Sequence, residues 1–371
     1  MEILQPKNAQ ELAKLIKWLD SDPSQIDFSE NKGISSIDKG NLTITLKTGT
    51  TWRELISYLK AINYEPCIYP KKESITLEEW LQTDGINLAG FKFGLTGRSL
   101  YDVEMVTYQG EITNLGFKTT LYDALGYELK RIFLGSQFIL GISTECTMQI
   151  RKVPETKLAL KLTLTPTFNI KELLEKFNRK SLRPTLIFFT QTDQVLILYI
   201  LLDGAIKIVA AESSVISSVL SGYAGFAYDE VTENELLGNL YEPDGAALTY
   251  YLIAPEKLGE LIQAFQLISK AYIINQNTIM VGLDLNKLNI PESAINSKIL
   301  ELRGKKVYIH PLNTEELMMF GEKSTPELIQ KIRKSFDPTN FYERLTREIK
   351  KEHEKLEPSA KDWVQGVKSE D

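Results

Sequence analysis

Two cysteines and two histidines are all that 371 residues hold of the side chains that most often bind metals or attack substrates. Cys67 and Cys146 stand apart in apolar surroundings. That excludes a disulfide framework and a zinc-ligand spacing, and both thiols read as core packing. His310 and His353 are too distant in sequence to form a local ligand pair, so each reads as structural or solvated, and no metal site is expected. The longest apolar run, Val195 to Leu202, is far below the ~20 residues that cross a bilayer. Met1-Glu2 opens no basic, apolar leader, so no transmembrane segment and a cytoplasmic location are expected. Nor is there a basic excess. Lys and Arg number 43 against 49 Asp and Glu, a net charge of −6, which excludes the electrostatic footprint of a nucleic-acid binder. No G-x-G-x-x-G follows a strand, and the Walker A, G-x-S-x-G and H-E-x-x-H patterns are missing too.

What is present is an ordinary folded composition, 43% hydrophobic and 25% charged, at a length that suggests two or three domains. Asn8 and Glu11 announce a first helix with Leu12, Leu15, Ile16 and Leu19 on one face. Asp20-Ser21-Asp22-Pro23 ends it, and Gln25–Phe28 and Leu42–Leu46 read as short strands. Thr51 and Glu54 form a capping box for a second helix that buries Trp52, Leu55, Leu59 and Ile62. Strands follow at Val103–Thr107 and Ile142–Ile150, around a helical stretch Tyr127–Phe133 that stops at Gly135.

Leu158, Leu160, Leu162 and Leu164 alternate with polar or small residues as a half-buried strand does. A helix through Leu173, Leu174 and Phe177 comes next, then strands Thr185–Thr190 and Gln194–Leu202. The order returns as strand Ala247–Ile253, helix Lys257–Ile268 and strands Ala271–Ile274 and Thr278–Leu285. The middle of the chain therefore reads as a β-α-β-β unit used twice, an antiparallel sheet covered by helices on one side. Thr325-Pro326-Glu327 starts a last core helix, and from Glu343 to Asp371 mixed charges crowd a solvated tail. Within that tail Trp363 and Val364 are an apolar pair able to dock on another subunit.

Four segments together carry a resemblance. They are Thr76-Leu77-Glu78-Glu79-Trp80-Leu81, Phe91-Lys92-Phe93-Gly94, Gly126-Tyr127-Glu128-Leu129 with Gly135-Ser136-Gln137-Phe138-Ile139-Leu140-Gly141-Ile142, and Phe336-Asp337-Pro338-Thr339-Asn340. In order and spacing the chain resembles the FAD-linked oxidase family with the vanillyl-alcohol-oxidase type of flavin domain, nearest in pattern to glycolate and D-lactate oxidase or dehydrogenase subunits. The resemblance implies an α+β protein with a PCMH-type FAD-binding fold of two α/β subdomains and an antiparallel-sheet substrate or cap domain. The expected division is a flavin domain over residues 1–153, the cap domain over 154–305, a returning segment over 306–342 and the tail over 343–371. It further implies FAD as cofactor, held near Thr76, Gly85, Lys92, Gly94, Gly135, Ser136, Gly141 and Ile142, and a paralogous flavoprotein subunit as partner. A small 2-hydroxy acid is the implied substrate if the chain is active.

The family grips the FAD diphosphate with backbone N–H groups of two glycine-rich loops. Here the first loop has no counterpart, because Trp18 to Gln25 passes almost directly from helix to strand. At the second, the T-[IL]-G-G pattern reads Thr76-Leu77-Glu78-Glu79, and Thr76 with Glu79 can cap the helix itself. A carboxylate about 4 Å from a phosphate costs ~4 kcal/mol at an effective dielectric of ~20, so a degenerate diphosphate site is expected. Gln137-Phe138-Ile139 stands where E-G-T is common, adding bulk beside the channel. Two functional readings follow: a structural partner of a catalytic flavoprotein, or a functional FAD-dependent 2-hydroxy-acid oxidoreductase. Arg98, Arg303, Lys305 and His310 are possible cleft residues, but each reads more readily as a surface charge or a helper of folding than as a catalyst, and no catalytic residue is assigned.

Overall fold

The computed structural model describes residues 5–18, 30–83, 85–118, 128–164, 168–192, 195–221, 228–242, 248–265, 268–288, 290–307 and 324–337. The expected strand Gln25–Phe28, the short passage to Gln25, His310, His353, Pro338–Asn340 and the tail with Trp363 lie outside these residues.

Helix α1 (Ala9–Trp18) starts where the capping signal places it. Asn8 Oδ1 accepts from the Glu11 N–H at 2.9 Å, and Leu12 and Ile16 are buried against Val106, Tyr108 and Ile142. Strands β1 (Ile34–Asp38) and β2 (Thr43–Lys47) pair antiparallel, and α2 (Trp52–Ala61) carries the full Thr51/Glu54 capping box. After β3 (Tyr64–Pro66) come three short helices, α3 (Leu77–Gln82), α4 (Gly90–Phe93) and α5 (Thr96–Ser99). Strands β4 (Leu100–Val106) and β5 (Ile112–Asn114), helix α6 (Leu129–Phe133) and strand β6 (Ile142–Lys152) complete a first sheet ordered β1-β2-β6-β4-β5, with β3 beside the far end of β6. Trp52 of α2 and Trp80 of α3 meet edge to face at 4.8 Å, which fixes α3 on this core.

The chain then runs through β7 (Thr156–Leu164), α7 (Ile170–Arg179), β8 (Leu186–Thr192), β9 (Val195–Gly204), α8 (Ile206–Leu220), β10 (Tyr228–Val231) and α9 (Glu233–Leu240). Strand β11 (Thr249–Ile253), helix α10 (Leu258–Phe265), β12 (Lys270–Asn275) and β13 (Thr278–Leu283) repeat the strand-helix-strand-strand order. Short helices α11 (Leu285–Leu288) and α12 (Glu292–Glu301) and strand β14 (Lys305–Val307) follow, before a last helix, Ser324–Phe336. The second sheet is antiparallel in the order β10-β7-β9-β8-β12-β13-β11-β14, so the two units meet through β8 and β12.

One face of this sheet is covered by α7, α8, α10 and α12, as expected. The other is not open: Phe188, Tyr199, Tyr250 and Tyr272 pack there with Leu236 and Leu240 of α9 and with Tyr69, Leu88 and Ala89 of the first unit. Burial on both faces explains why β9 reads as one apolar run instead of alternating.

A chain of charges crosses between the two sheets. Arg151 of β6 donates from both Nη atoms to Asp203 of β9, at 2.9 and 2.6 Å, and also meets Glu65 of β3. Lys157 of β7 lies 2.7 Å from both Glu65 and Glu233 of α9, and Lys92 of α4 completes the set on Asp203. Burial alone would raise the Asp203 pKa, but the Arg151 guanidinium and the Lys92 ammonium outweigh it and hold the carboxyl at about 2.

Removing one partner of such a buried set leaves charge uncompensated, so Asp203→Ala is expected to cost ~3–5 kcal/mol in chemical denaturation, against ~0–1 for loss of the exposed Lys161–Glu235 pair. The depressed pKa puts the Asp203 contribution above the unfolded value of 3.8 and removes it as pH falls toward 2. Acid titration of stability should therefore be steeper for the wild type than for the variant over that window.

Candidate functional site

The expected site residues fall into two groups. The first surrounds α3 and the loop leading into β6. Thr76 is the N-cap of α3, its hydroxyl accepting from the Glu79 N–H at 3.1 Å. The next amides are also committed: Leu77 N–H donates to the Thr50 carbonyl at 2.9 Å and Glu78 N–H to the Thr48 carbonyl at 2.8 Å. Trp80 N–H returns to the Thr76 carbonyl at 3.1 Å. The start of this six-residue helix is therefore fully bonded within the chain.

The two glutamates separate. Glu79 is exposed, whereas Glu78 is only 6% exposed and turns inward. Its Oε1 accepts from the Ser143 main-chain N–H at 3.0 Å and from Gln82 Nε2 at 3.1 Å. Glu78 Oε2 is buried without a hydrogen-bond partner among the described residues. Burial pushes the carboxyl up to about 8, against the opposing effect of the Gln82 and Ser143 bonds. The sequence reading treated both glutamates as charges facing a phosphate. At neutral pH Glu78 is instead mostly a neutral acid that occupies space and an amide.

Gln82, fully buried one helical turn on, is the hub that sequence reasoning missed. Its Nε2 donates to the Gly141 carbonyl at 2.9 Å, and its Oε1 accepts from Ser136 Oγ at 2.8 Å and from the Phe138 N–H at 3.0 Å. Gly135 N–H donates to the Leu81 carbonyl at 2.8 Å and Gln137 N–H to the Gln82 carbonyl at 2.8 Å. The loop is thus sewn to the end of α3, tightly enough to hold Gln137 and Phe138 at φ of 54° and 60°, where side chains are uncommon. Gly141 is required sterically, since a Cβ there would sit 2.4 Å from the Val106 carbonyl oxygen. Ile142 begins β6 and is fully buried against α1, so it contributes packing. The signal for Gln82 was legible: Glu78 and Gln82 are four apart on the face that also carries Leu81.

The second group lies elsewhere. Gly85 and Gly94 line a cavity of about 710 Å³ between α4–α5 and the β12–β13 hairpin. Lys92 is not on it, being engaged by Asp203, the Asp203 carbonyl at 2.7 Å and Thr185 Oγ at 3.2 Å. Of the possible cleft residues, Arg98 lines the cavity, Arg303 and Lys305 do not, and His310 is outside the described residues. Among the described residues no cluster of His, Cys, Asp or Glu could hold a metal ion, and no helix is long and apolar enough to cross a membrane. Cys67 and Cys146 are buried, and burial raises both thiols.

Because the folded pKa of Glu78 lies above its unfolded value, its contribution is intact below about 4.5 and is lost as pH rises to about 8. Glu78→Gln should match the wild type in acid and exceed its thermal midpoint by several degrees above pH 8, read by calorimetry across that range.

Comparison with known proteins fits this architecture. Residues 19–116 match the family described as FAD binding domain. The glycolate oxidase subunit GlcD of Bacillus subtilis is 32% identical over 137 residues, 36% of this chain and 28% of that protein. The D-2-hydroxyglutarate dehydrogenase of Stutzerimonas stutzeri is 33% identical over 100 residues, 26% of this chain and 21% of that one. The matched stretches thus span less than a third of either relative. Among solved structures, p-cresol methylhydroxylase with substrate bound superposes with a TM-score of 0.71 at 10% identity, over 91% of this chain and 87% of that one. An alkyldihydroxyacetonephosphate synthase gives 0.68 at 15%, over 91% and 75%. In its N-terminal part the chain thus matches an FAD binding domain, and over nine-tenths of its length it shares the fold of p-cresol methylhydroxylase and alkyldihydroxyacetonephosphate synthase.

Proposed function

We propose that this chain is a subunit of an FAD-linked oxidoreductase of the glycolate or D-lactate oxidase type whose own FAD seat is filled by its side chains. Its role is then that of a structural partner to a catalytic flavoprotein. The observation that carries the reading is the buried Glu78–Gln82 pair, which stands at and just after the positions where the resemblance implies glycines and accepts from the Ser143 and Phe138 amides. The α3 amides are spent on Thr48, Thr50 and Thr76. A phosphate would have to displace a buried, bonded side chain and leave groups that it cannot satisfy, such as the Gly141 carbonyl that accepts from Gln82, unpaired at ~1–3 kcal/mol each. The residues present do not fit the diphosphate of FAD.

The partner role draws on the glycolate oxidase relative, itself named as a subunit. The second reading, a functional FAD-dependent 2-hydroxy-acid oxidoreductase, is favoured by the FAD binding domain match over residues 19–116.

Absorbance of the purified protein separates the two. The proposal expects a colourless protein whose melting temperature does not move on adding FAD. A bound flavin at a hundredfold excess over its Kd would add ~2.7 kcal/mol and a clear upward shift. Stoichiometric flavin in the purified chain would overturn the proposal in favour of the enzyme. Affinity purification of the full chain from its native host should also bring down a yellow second subunit, and truncation before Glu343 should release it if Trp363 and Val364 dock there.

A further inference from the structure

Few contacts hold Glu78 in place, and solvent is close. It lies in the first turn of α3, between the buried Leu77 and the exposed Glu79. Its Oε1 accepts from the Ser143 N–H and from Gln82 Nε2, while its Oε2 is buried with no hydrogen-bond partner among the described residues. Nor does a cation among them pair with it. Around it, Glu79 of α3 and the charged residues of α2 are exposed, Glu145 of β6 pairs with Lys118, and Lys130 of α6 pairs with Glu128. Asp102 and Glu104 of β4 accept from the Gly116 N–H and from Thr144 Oγ1, each at 2.7 Å, and Cys146 of β6 is a buried thiol. An ionised Glu78 would thus be a buried charge with two hydrogen bonds and no countercharge, and turning outward relieves it.

What it fastens is under strain. Glu78 Oε1 orients the Gln82 amide, whose own Oε1 holds the Phe138 N–H and Ser136 Oγ, and Gln137 and Phe138 both stand at positive φ. We propose that Glu78 is a proton latch: neutral, it ties α3 to the start of β6, and ionised, it turns to solvent, frees the Ser143 amide and loosens the loop 135–141. Leu77, Trp80 and Leu81 remain in the core, so α3 stays in place and the opening is local. The seat is thereby regulated by proton activity, closed in acid and opened as pH rises. This does not rest on the function proposed above, since it concerns the chain alone. Glu78 sits at about 8 when closed and returns to the ordinary 4.5 when exposed, so the open population grows about tenfold per pH unit from about 5 to about 8 and then levels off.

Hydrogen exchange of the full chain without FAD, corrected for intrinsic rates over about pH 5 to 9, reads the latch amide by amide. In acid the amides of Ser143, Phe138 and Met148, the last in the middle of β6, should all be protected. The proposal expects protection of Ser143 and Phe138 to fall about tenfold per pH unit and to level off near pH 8, where both exchange about tenfold or more faster than Met148. Low denaturant should speed Met148 and leave Ser143 and Phe138 unchanged, the mark of a local opening. In Glu78→Gln, which keeps the shape without a titratable carboxyl, both amides should stay protected throughout. Equal exchange of the three amides at every pH would overturn the latch, because Glu78 would then act only through global unfolding. Protection independent of pH in the wild type, or the same loss in Glu78→Gln, would overturn it too. The denaturant comparison is made on the wild type, so the test stands even where the variant folds poorly.

Discussion

One turn of helix governs the rest: Gln82 reaches from α3 to the loop before β6 and accepts the Phe138 amide, and Glu78 reaches the start of β6 and accepts the Ser143 amide. A buried amide left without an acceptor is costly, so something must occupy these positions. In this chain it is the protein's own side chains. The raised carboxyl of Glu78 makes the occupant largely neutral at physiological pH, which removes the cost of burying a charge and leaves a hydrogen-bonded plug. On the function proposed above, steric and bonding completeness, rather than charge repulsion, is what would keep a diphosphate out.

The plug sits in a frame that the charge network holds closed. Arg151 joins Glu65 of the first unit to Asp203 of the second, and Lys157 and Lys92 neutralise the same two carboxylates from either side. Phe93 roofs the set, its ring centroid 4.7 Å from the Arg151 guanidinium. Since each charge is compensated across the boundary, separating the sheets would strand several at once.

Much of the frame was legible in the residues. Thr51, Thr76 and Asn8 announce their helices through side chains that bond the backbone locally, and the leucine alternation of β7 marks one face of a strand. Helix α8 was not read because its stripe is broken: Ile206 and Ile208 are exposed while Val209, Ile216 and Leu220 are buried. Strand β1, Ile-Ser-Ser-Ile-Asp, is too polar to stand out and is held by pairing with β2. At the site, it was visible that Glu78 and Glu79 stand where the resemblance implies glycines, but the divergence of the two side chains was not. Which of two adjacent carboxylates turns inward depends on Gln82 and on the Ser143 amide, which is 65 residues away in sequence. Such a contact is set by tertiary packing and leaves no local pattern.

Hydrogen exchange of the main-chain amides of Leu77, Glu78, Phe138 and Ser143, measured with and without FAD, tests the central claim at the atoms concerned. All four should be strongly protected in the protein alone and unchanged when FAD is added. Fast exchange in the protein alone, slowed by FAD, would mean that these amides await a ligand, and the account of a self-filled seat would be wrong.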